Sequence, residues 1–428
     1  MSGLHFRFEN IEAAISWGLE QTRPSEDFSR QLNAYAGYLC GLTKEIAENA
    51  GFPIVDVMLA GSVSRETYLP WSVDIDLFAR LDVKEKAELA RFSSVVLPKV
   101  SKVENAQIEF RYAENPYGHF SITVNDHKVG VDIVATVHTN QKTLQSALAI
   151  SGMARTPFHN DFLRTHIKGL IDQVRLLKWW FVRKKVYGQF GFTGFLTEFL
   201  VGHFRGFKNV LNAADDIIHS RIDFHNRTSL ELEDLFAGDQ VIIVDPVDAK
   251  RNAAAGIQGI VGQFKLQRFL RESKRSLCEP STLFTEAGPS LPYYTFQANF
   301  IPAPRNTDEE GSRFARVASL VKGILKEEGI EIRDLYLEKD PARLQFELDS
   351  HILKPRIMKG PPKELASAAS KFRARHKQIF SKNGRLYAQK PPRFESIYAL
   401  VLNALKEQSW IVPGTQNLLK VDSSIKLS

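Results

Sequence analysis

The run that most constrains this 428-residue chain is Leu59-Ala60-Gly61-Ser62-Val63-Ser64-Arg65-Glu66-Thr67-Tyr68-Leu69-Pro70-Trp71-Ser72-Val73-Asp74-Ile75-Asp76-Leu77-Phe78. Val55, Val57 and Leu59 predict a buried strand, Gly61-Ser62 a tight turn with a short polar turn or helix behind it, and residues 73–78 a second strand. Side chains alternate across a strand. Asp74 and Asp76 therefore emerge on one side of a run otherwise apolar at Val73, Ile75, Leu77 and Phe78. Two acids on one side suit a hard cation such as Mg²⁺, which takes a few carboxylates and completes its shell with water and substrate phosphate. Ser62, placed just after a strand, can offer its hydroxyl and neighbouring backbone N–H groups to a phosphate. The plainer alternative is an edge strand with two solvated acids and an ordinary turn; a Gly-Ser pair shortly before the acids favours the site.

A second segment points the same way. Asn125-Asp126 predicts a tight turn into Val129-Gly130-Val131-Asp132-Ile133-Val134, where Asp132 stands alone in an apolar strand. A carboxylate in such a run is costly to bury without compensation. Either a metal shared with Asp74 and Asp76 or a local partner, such as a backbone turn or one basic side chain, would supply it.

The remaining chain reads as α+β with several domains, about three by length. Apolar faces over 10–50 predict two helices covering one face of the sheet. A helix follows from Lys84 to Pro98, then strands over Val103–Tyr112 and Phe120–Val124. From Arg155 the pattern becomes helical, with Val174, Leu176, Leu177, Trp180, Phe181, Val186 and Tyr187 on one face; Gly188, Gly191 and Gly194 mark a loop between helices. A short strand, Val241–Val244, precedes the polar turn Asp245–Asn252, and a helix starts near Ala253. After a Pro/Ser/Gly-rich boundary at 279–289, strand (295–301), helix (309–328), strand (332–338) and strand (343–348) predict a small split β-α-β unit. A helix over 395–407 closes the chain.

Charge is concentrated in one stretch. Of the net +7, the segment from Lys354 to Arg393 carries +11, from twelve Lys or Arg against the single acid Glu364, which leaves −4 for the rest. That is the footprint expected of a protein that meets a polyanion, or, more plainly, of a solvated basic tail. No run approaches the roughly 18 uncharged apolar residues of a membrane helix, and Arg7, Glu9 and Glu12 break the order of a signal peptide. A cytoplasmic protein without membrane contact is expected. Cys40 and Cys278 read as buried small apolar residues.

Several longer segments narrow the reading. They are Gly61-Ser62-x-x-Arg65-x-Thr67-x-Leu69 with Asp74-x-Asp76, Arg111-Tyr112-Ala113-Glu114-Asn115-Pro116-Tyr117, Arg155-Thr156-Pro157-Phe158-His159, Gln173-Val174-Arg175-Leu176-Leu177-Lys178, Tyr187-Gly188, Val244-Asp245-Pro246-Val247-Asp248-x-Lys250-Arg251-Asn252 and Lys382-Asn383-Gly384-Arg385. In this order, over nearly the whole chain, they resemble the archaeal, class I CCA-adding enzymes, tRNA nucleotidyltransferases of the polymerase-β-like superfamily. The resemblance implies a polymerase-β-like nucleotidyltransferase head (1–154), a helical neck that holds the nucleotide (155–278), an α+β body (279–355 and 394–428) and a basic tRNA-binding tail (356–393). It also implies template-independent addition of C, C and A to the tRNA 3′ end from CTP and ATP, by nucleotidyl transfer on two Mg²⁺ ions with release of pyrophosphate. In that scheme Asp74, Asp76 and Asp132 are the catalytic metal ligands, and Ser62, Arg65, His159, Lys178 and Tyr187 lie at the triphosphate. Arg251 helps to select the base, and Arg373, Arg375, Lys377 and Arg385 hold the tRNA acceptor arm. Monomer and homodimer are both compatible with this plan. Trp71, Ala135, Asn115 and Ala154 depart from the family pattern. Two rivals stay open: an enzyme that adds A or U tails to other RNA ends, and a catalytically silent RNA-binding protein on the same scaffold.

Overall fold

A computed structural model of the chain describes residues 7–112, 116–290, 293–297, 307–339, 342–407 and 421–422. It forms two compact units, Met1–Ala287 with Arg305–Asp308, and Gly288–Pro304 with Glu309–Ser428. The departure from the family pattern at Asn115 lies outside the described residues.

The first unit begins with helices α1 (Ile11–Thr22), capped by Asn10, and α2 (Glu26–Asn49), capped by Ser25. Strand β1 (Ile54–Ala60) runs into the one-turn helix α3 (Gly61–Ser64) and then β2 (Asp74–Leu81). Helix α4 (Lys86–Val103), strands β3 (Glu109–Tyr112), β4 (Pro116–Val124) and β5 (His127–Val137), and helix α5 (Leu144–Ile150) follow. The sheet order is β1-β2-β5-β4-β3, antiparallel except for the parallel pair β2–β5. Asn125 and Asp126, both at positive φ (47° and 63°), make the tight β4–β5 turn. Strand alternation sends Ile75, Leu77, Ala79, Val131, Ile133 and Ala135 into a core with Leu32 and Leu39 of α2 and Leu89, Phe92 and Val96 of α4. Asp74, Asp76 and Asp132 fall on the other face by the same alternation.

Two sequence expectations need correcting here. Of the first two helices only α2 covers the sheet: Ala14 of α1 is buried in a second core with Leu176, Trp180 and Phe284, because Gly18 lets Phe284 and Leu176 approach where a Cβ would clash. Helix α4 does not stop at Pro98 but continues to Val103, so the strand expected from Val103 shrinks to β3. Leu97 and Val100, fully buried on one face, outweigh the proline's lost hydrogen bond.

The second core of this unit is helical. It contains α6 (Thr156–His166), α7 (Ile171–Arg183), α8 (Gly194–Phe204), the short α9 (Phe207–Asn212), α10 (Ala214–Ile217) and α11 (Ser229–Leu235), and α12 (Ile260–Cys278), with β6 (Arg221–Ile222) and β7 (Ile242–Ile243) as a small parallel pair. Phe181 and Phe192 stack at 4.4 Å with Phe269 edge-on to both. Lys184, fully buried, donates to the carbonyls of Thr282 (2.7 Å) and Thr285 (2.9 Å) and pairs with Glu272 at 3.4 Å, which ties the end of α7 to the chain after α12. Cys278 is exposed, not buried as expected, because it sits at the C-terminal end of α12; Cys40 is half-buried, and both thiols are free.

The second unit contains β8 (Tyr293–Gln297), α13 (Thr307–Glu327), β9 (Ile332–Lys339) and β10 (Ala342–Leu348), with β10 antiparallel to and between β8 and β9. That is a split β-α-β arrangement; residues 298–301 of the expected first strand lie outside the described residues. The basic stretch forms a three-stranded sheet, β11 (Arg356–Pro362), β13 (Arg385–Lys390) and β12 (Gln378–Lys382) in that order, with α14 (Ala366–Arg375) packed on it. Helix α15 (Ile397–Glu407) and β14 (Val421–Asp422), which pairs with β8, complete it.

Candidate functional site

Parallel pairing of β2 and β5 places Asp76 directly beside Asp132 and Asp74 beside Gly130. A Cβ on Gly130 would lie 2.1 Å from Oδ1 of Asp74, and one on Gly61 would lie 1.8 Å from Oδ2 of Asp76. Two side-chain-free positions thus cradle two carboxylates. Burial, then the charges of Asp132 and Asp74, push the Asp76 carboxyl up to about 7. Burial also raises Asp132, against the opposing pull of His119 on the neighbouring β4 strand, whose Nδ1 lies 2.7 Å from its Oδ1.

This crowding of like charge is what a hard divalent cation relieves, and the all-oxygen donor set suits one. As the side chains stand, no group of three or more His, Cys, Asp or Glu among the described residues is arranged to hold a metal ion. Asp132 keeps one oxygen, Oδ1, on His119 while standing beside Asp76 in the parallel register. The donors fit the ion by chemistry and by the glycine cradles, with His119 as the holder of the third acid.

Helices α7 and α8 supply the facing side of the cluster. Lys178 of α7 has its ammonium 5.8 Å from the Tyr187 ring centroid; burial lowers its pKa against the charges of Glu198, Asp76 and Asp74. The Tyr187 hydroxyl is raised by burial and by the same acids. Lys265, nearly buried on α12, donates to the carbonyls of Tyr187 (3.0 Å) and Gln189 (2.7 Å) and so fixes the loop that carries Tyr187. Ser62 lies half-buried in α3, its carbonyl accepting from Thr67 N at 2.9 Å.

Arg65 has protein partners of its own. Its guanidinium forms two bonds to Glu198 (2.5 and 3.0 Å) and one to Asn160 (2.5 Å); Thr67 also donates to Glu198 at 2.8 Å. The Arg65 and Glu198 side chains are only 9% and 3% exposed, so Arg65 braces α3 against α6 and α8. Glu198 went unseen in the sequence because it sits in the apolar run Phe195–Phe204.

His159 and Arg251 meet in a second knot. Asp245, fully buried, accepts from His159 Nε2 (2.7 Å), Arg251 Nη1 (2.8 Å) and the backbone N–H groups of Val247 (2.9 Å) and Asp248 (3.2 Å). Burial would raise this acid, yet the hydrogen bond and charge of His159, with Val247 and Arg251, hold it down to about 2. His159 lies 4.7 Å from the Phe195 ring, one turn of α8 before Glu198, so α8 touches both knots. The Asp245 signal was visible in Asp245-Pro246-Val247-Asp248, an acid ahead of free N–H groups that it can bind in a turn.

Arg373 and Arg375 are exposed in the last turn of α14, Lys377 is exposed just after it, and Arg385 on β13 donates to the Gly360 carbonyl at 2.8 Å. Trp71 is 52% exposed, edge-on to Trp179 at 5.7 Å, whereas Ala135 and Ala154 are buried. No described helix is long and apolar enough to cross a membrane.

Residues 172–286 match the family described as tRNA nucleotidyltransferase, second domain. The chain is 31% identical over 291 residues to the CCA-adding enzyme of Methanosarcina barkeri (66% of this chain, 59% of that one). It is 33% identical over 257 residues to that of Methanosarcina acetivorans (58% and 52%), and 25% identical over 418 residues to that of Methanococcus maripaludis strain C5 (89% and 88%). The matched part spans little more than half the length of the first two relatives. Each of these relatives is an archaeal CCA-adding enzyme, and the chain is similar to them in sequence.

Proposed function

We propose that this protein adds C, C and A to the 3′ end of tRNA, using CTP and ATP and releasing pyrophosphate. The observation that carries the proposal is the juxtaposition of Asp74, Asp76 and Asp132 on the sheet face turned away from α2 and α4, opposite Lys178 and Tyr187. Divalent cations of the Mg²⁺ kind, held by these three acids, would lower the pKa of the RNA 3′-hydroxyl and balance charge on the departing pyrophosphate.

The chain's own residues do the rest. Lys178, its ammonium pressed against Tyr187, offers positive charge to the triphosphate, with the Ser62 turn beside it. His119 holds Asp132 in one orientation through its ring nitrogen. Asp245 fixes Arg251, half-exposed, so that its remaining N–H groups face the base in one direction, and it fixes His159 at the same time. Arg65 acts as a brace for the catalytic turn. In the other unit, Arg373, Arg375, Lys377 and Arg385 would hold the acceptor arm through phosphates, reading shape more than sequence.

The test uses tRNA transcripts ending at the discriminator base, at C and at CC, each with CTP alone, ATP alone or both. With CTP alone the discriminator end should gain two C, the C end one C and the CC end none; with ATP alone only the CC end should gain A, and with both every transcript should finish as CCA. Long A or U ladders would favour the tailing rival, and no Mg²⁺-dependent pyrophosphate release would leave an RNA-binding protein.

A further inference from the structure

The three-stranded sheet of the second unit offers RNA more than positive charge. In its register Lys359 and Phe380 both lie opposite Tyr387, and Lys382 lies opposite Arg385, so strand alternation brings these five side chains to one face. The opposite face is covered by α14: Leu386 and Ala388 are buried there, Ala369 is buried on the helix, and Phe372 lies so close to Gly360 that a Cβ would meet its ring at 2.7 Å. The first face is open. Phe380 is 42% exposed, and its ring stacks on that of Tyr387 with centroids 5.5 Å apart and an interplanar angle of 15°.

The chemistry of this face selects its partner. Neither β11, β12 nor β13 carries an acid, so the aromatic pair is framed by positive charge alone. Cations and exposed π-faces together match a polyanion with flat rings. A paired RNA helix hides its base faces and shows only phosphate and 2′-hydroxyl, so rings on a sheet gain nothing from it; unpaired bases in a loop or strand can stack.

We propose that Phe380 and Tyr387 form a stacking platform for unpaired RNA bases, with Lys359, Lys382 and Arg385 on the adjoining phosphates. This rests on the reading of the second unit as an RNA-docking surface and names the part of the RNA it takes: loop or single-stranded nucleotides.

Binding of the full chain to a labelled unstructured oligoribonucleotide, a blunt RNA duplex and a tRNA transcript tests it by fluorescence anisotropy across a salt series. Replacing both rings, F380A with Y387A, should weaken oligonucleotide and tRNA binding about tenfold or more and leave the duplex unchanged. The dependence on salt should stay the same, since no charge is lost, whereas K359A with K382A should flatten it. F380W should retain affinity, and F380L, which keeps bulk without a π-face, serves if the alanine pair does not fold. Unchanged oligonucleotide binding by the ring variants, or an equal loss on the duplex, overturns the proposal. So does a wild-type dimer in sedimentation that the ring variants convert to monomer, because the face would then belong to a second copy. Failure of the wild type to add CCA would remove the enzymatic reading alone, since the oligonucleotide result is scored by binding.

Discussion

Gly61 has two separate reasons to lack a side chain: its φ of +65° is left-handed, and the space where a Cβ would stand is filled by Asp76. The sequence reading treated this glycine as a phosphate turn; the close approach of an acid fifteen residues later needed coordinates. G61A should displace the Asp76 carboxylate and reduce nucleotide incorporation by about 100-fold, a loss on the order expected for a 1 Å misplacement, while the unfolding transition remains cooperative. Activity and calorimetry on the same preparation check it. Asp76 also makes a pH prediction. Its folded value, about 7, lies above the ordinary 3.8, so its contribution to stability is full below about 4 and is lost as pH rises through 7. A divalent cation that binds the ionised form should therefore raise the melting temperature of chelator-treated protein more at pH 8 than at pH 5. Equal rises at both would mean that the ion binds elsewhere.

Among elements, the strands that carry the acids were legible because a period of two sets Asp74, Asp76 and Asp132 against apolar neighbours. What pairs with what was not, since Asp132 reaches Asp76 only through a parallel register spanning the intervening α4, β3 and β4. The basic sheet was missed for another reason: Lys and Arg mask the alternation of Ile357, Phe380 and Tyr387. A signal was there in Asn383-Gly384, both at positive φ (50° and 71°), the mark of a two-residue hairpin turn. The pairing of Arg65 with Glu198 was not legible, because the motif points to phosphate while Glu198 lies in a distant apolar helix. That brace makes its own prediction. E198Q leaves a buried guanidinium without its counter-charge and should cost about 3 kcal/mol of stability, read by denaturant unfolding, and R65M with E198Q together should cost less than the two changes summed.

On the scale of the whole molecule, charge and chemistry are divided between the two units. The first holds the acids, Lys178, Tyr187 and the Asp245 knot; the second holds the whole surplus of positive charge, with +11 between Lys354 and Arg393 against −4 for the rest of the chain. Composition alone separated these roles, because a charge surplus is additive along the chain, whereas the acid cluster depends on which strands become neighbours. In the proposed function the acid face of the five-stranded sheet performs the transfer. The direct measurement follows labelled CTP and ATP into a tRNA transcript ending at the discriminator base, with wild type and with D76N of equal melting temperature. Three added nucleotides from the wild type and none from the variant is the predicted result; equal addition by both would contradict it.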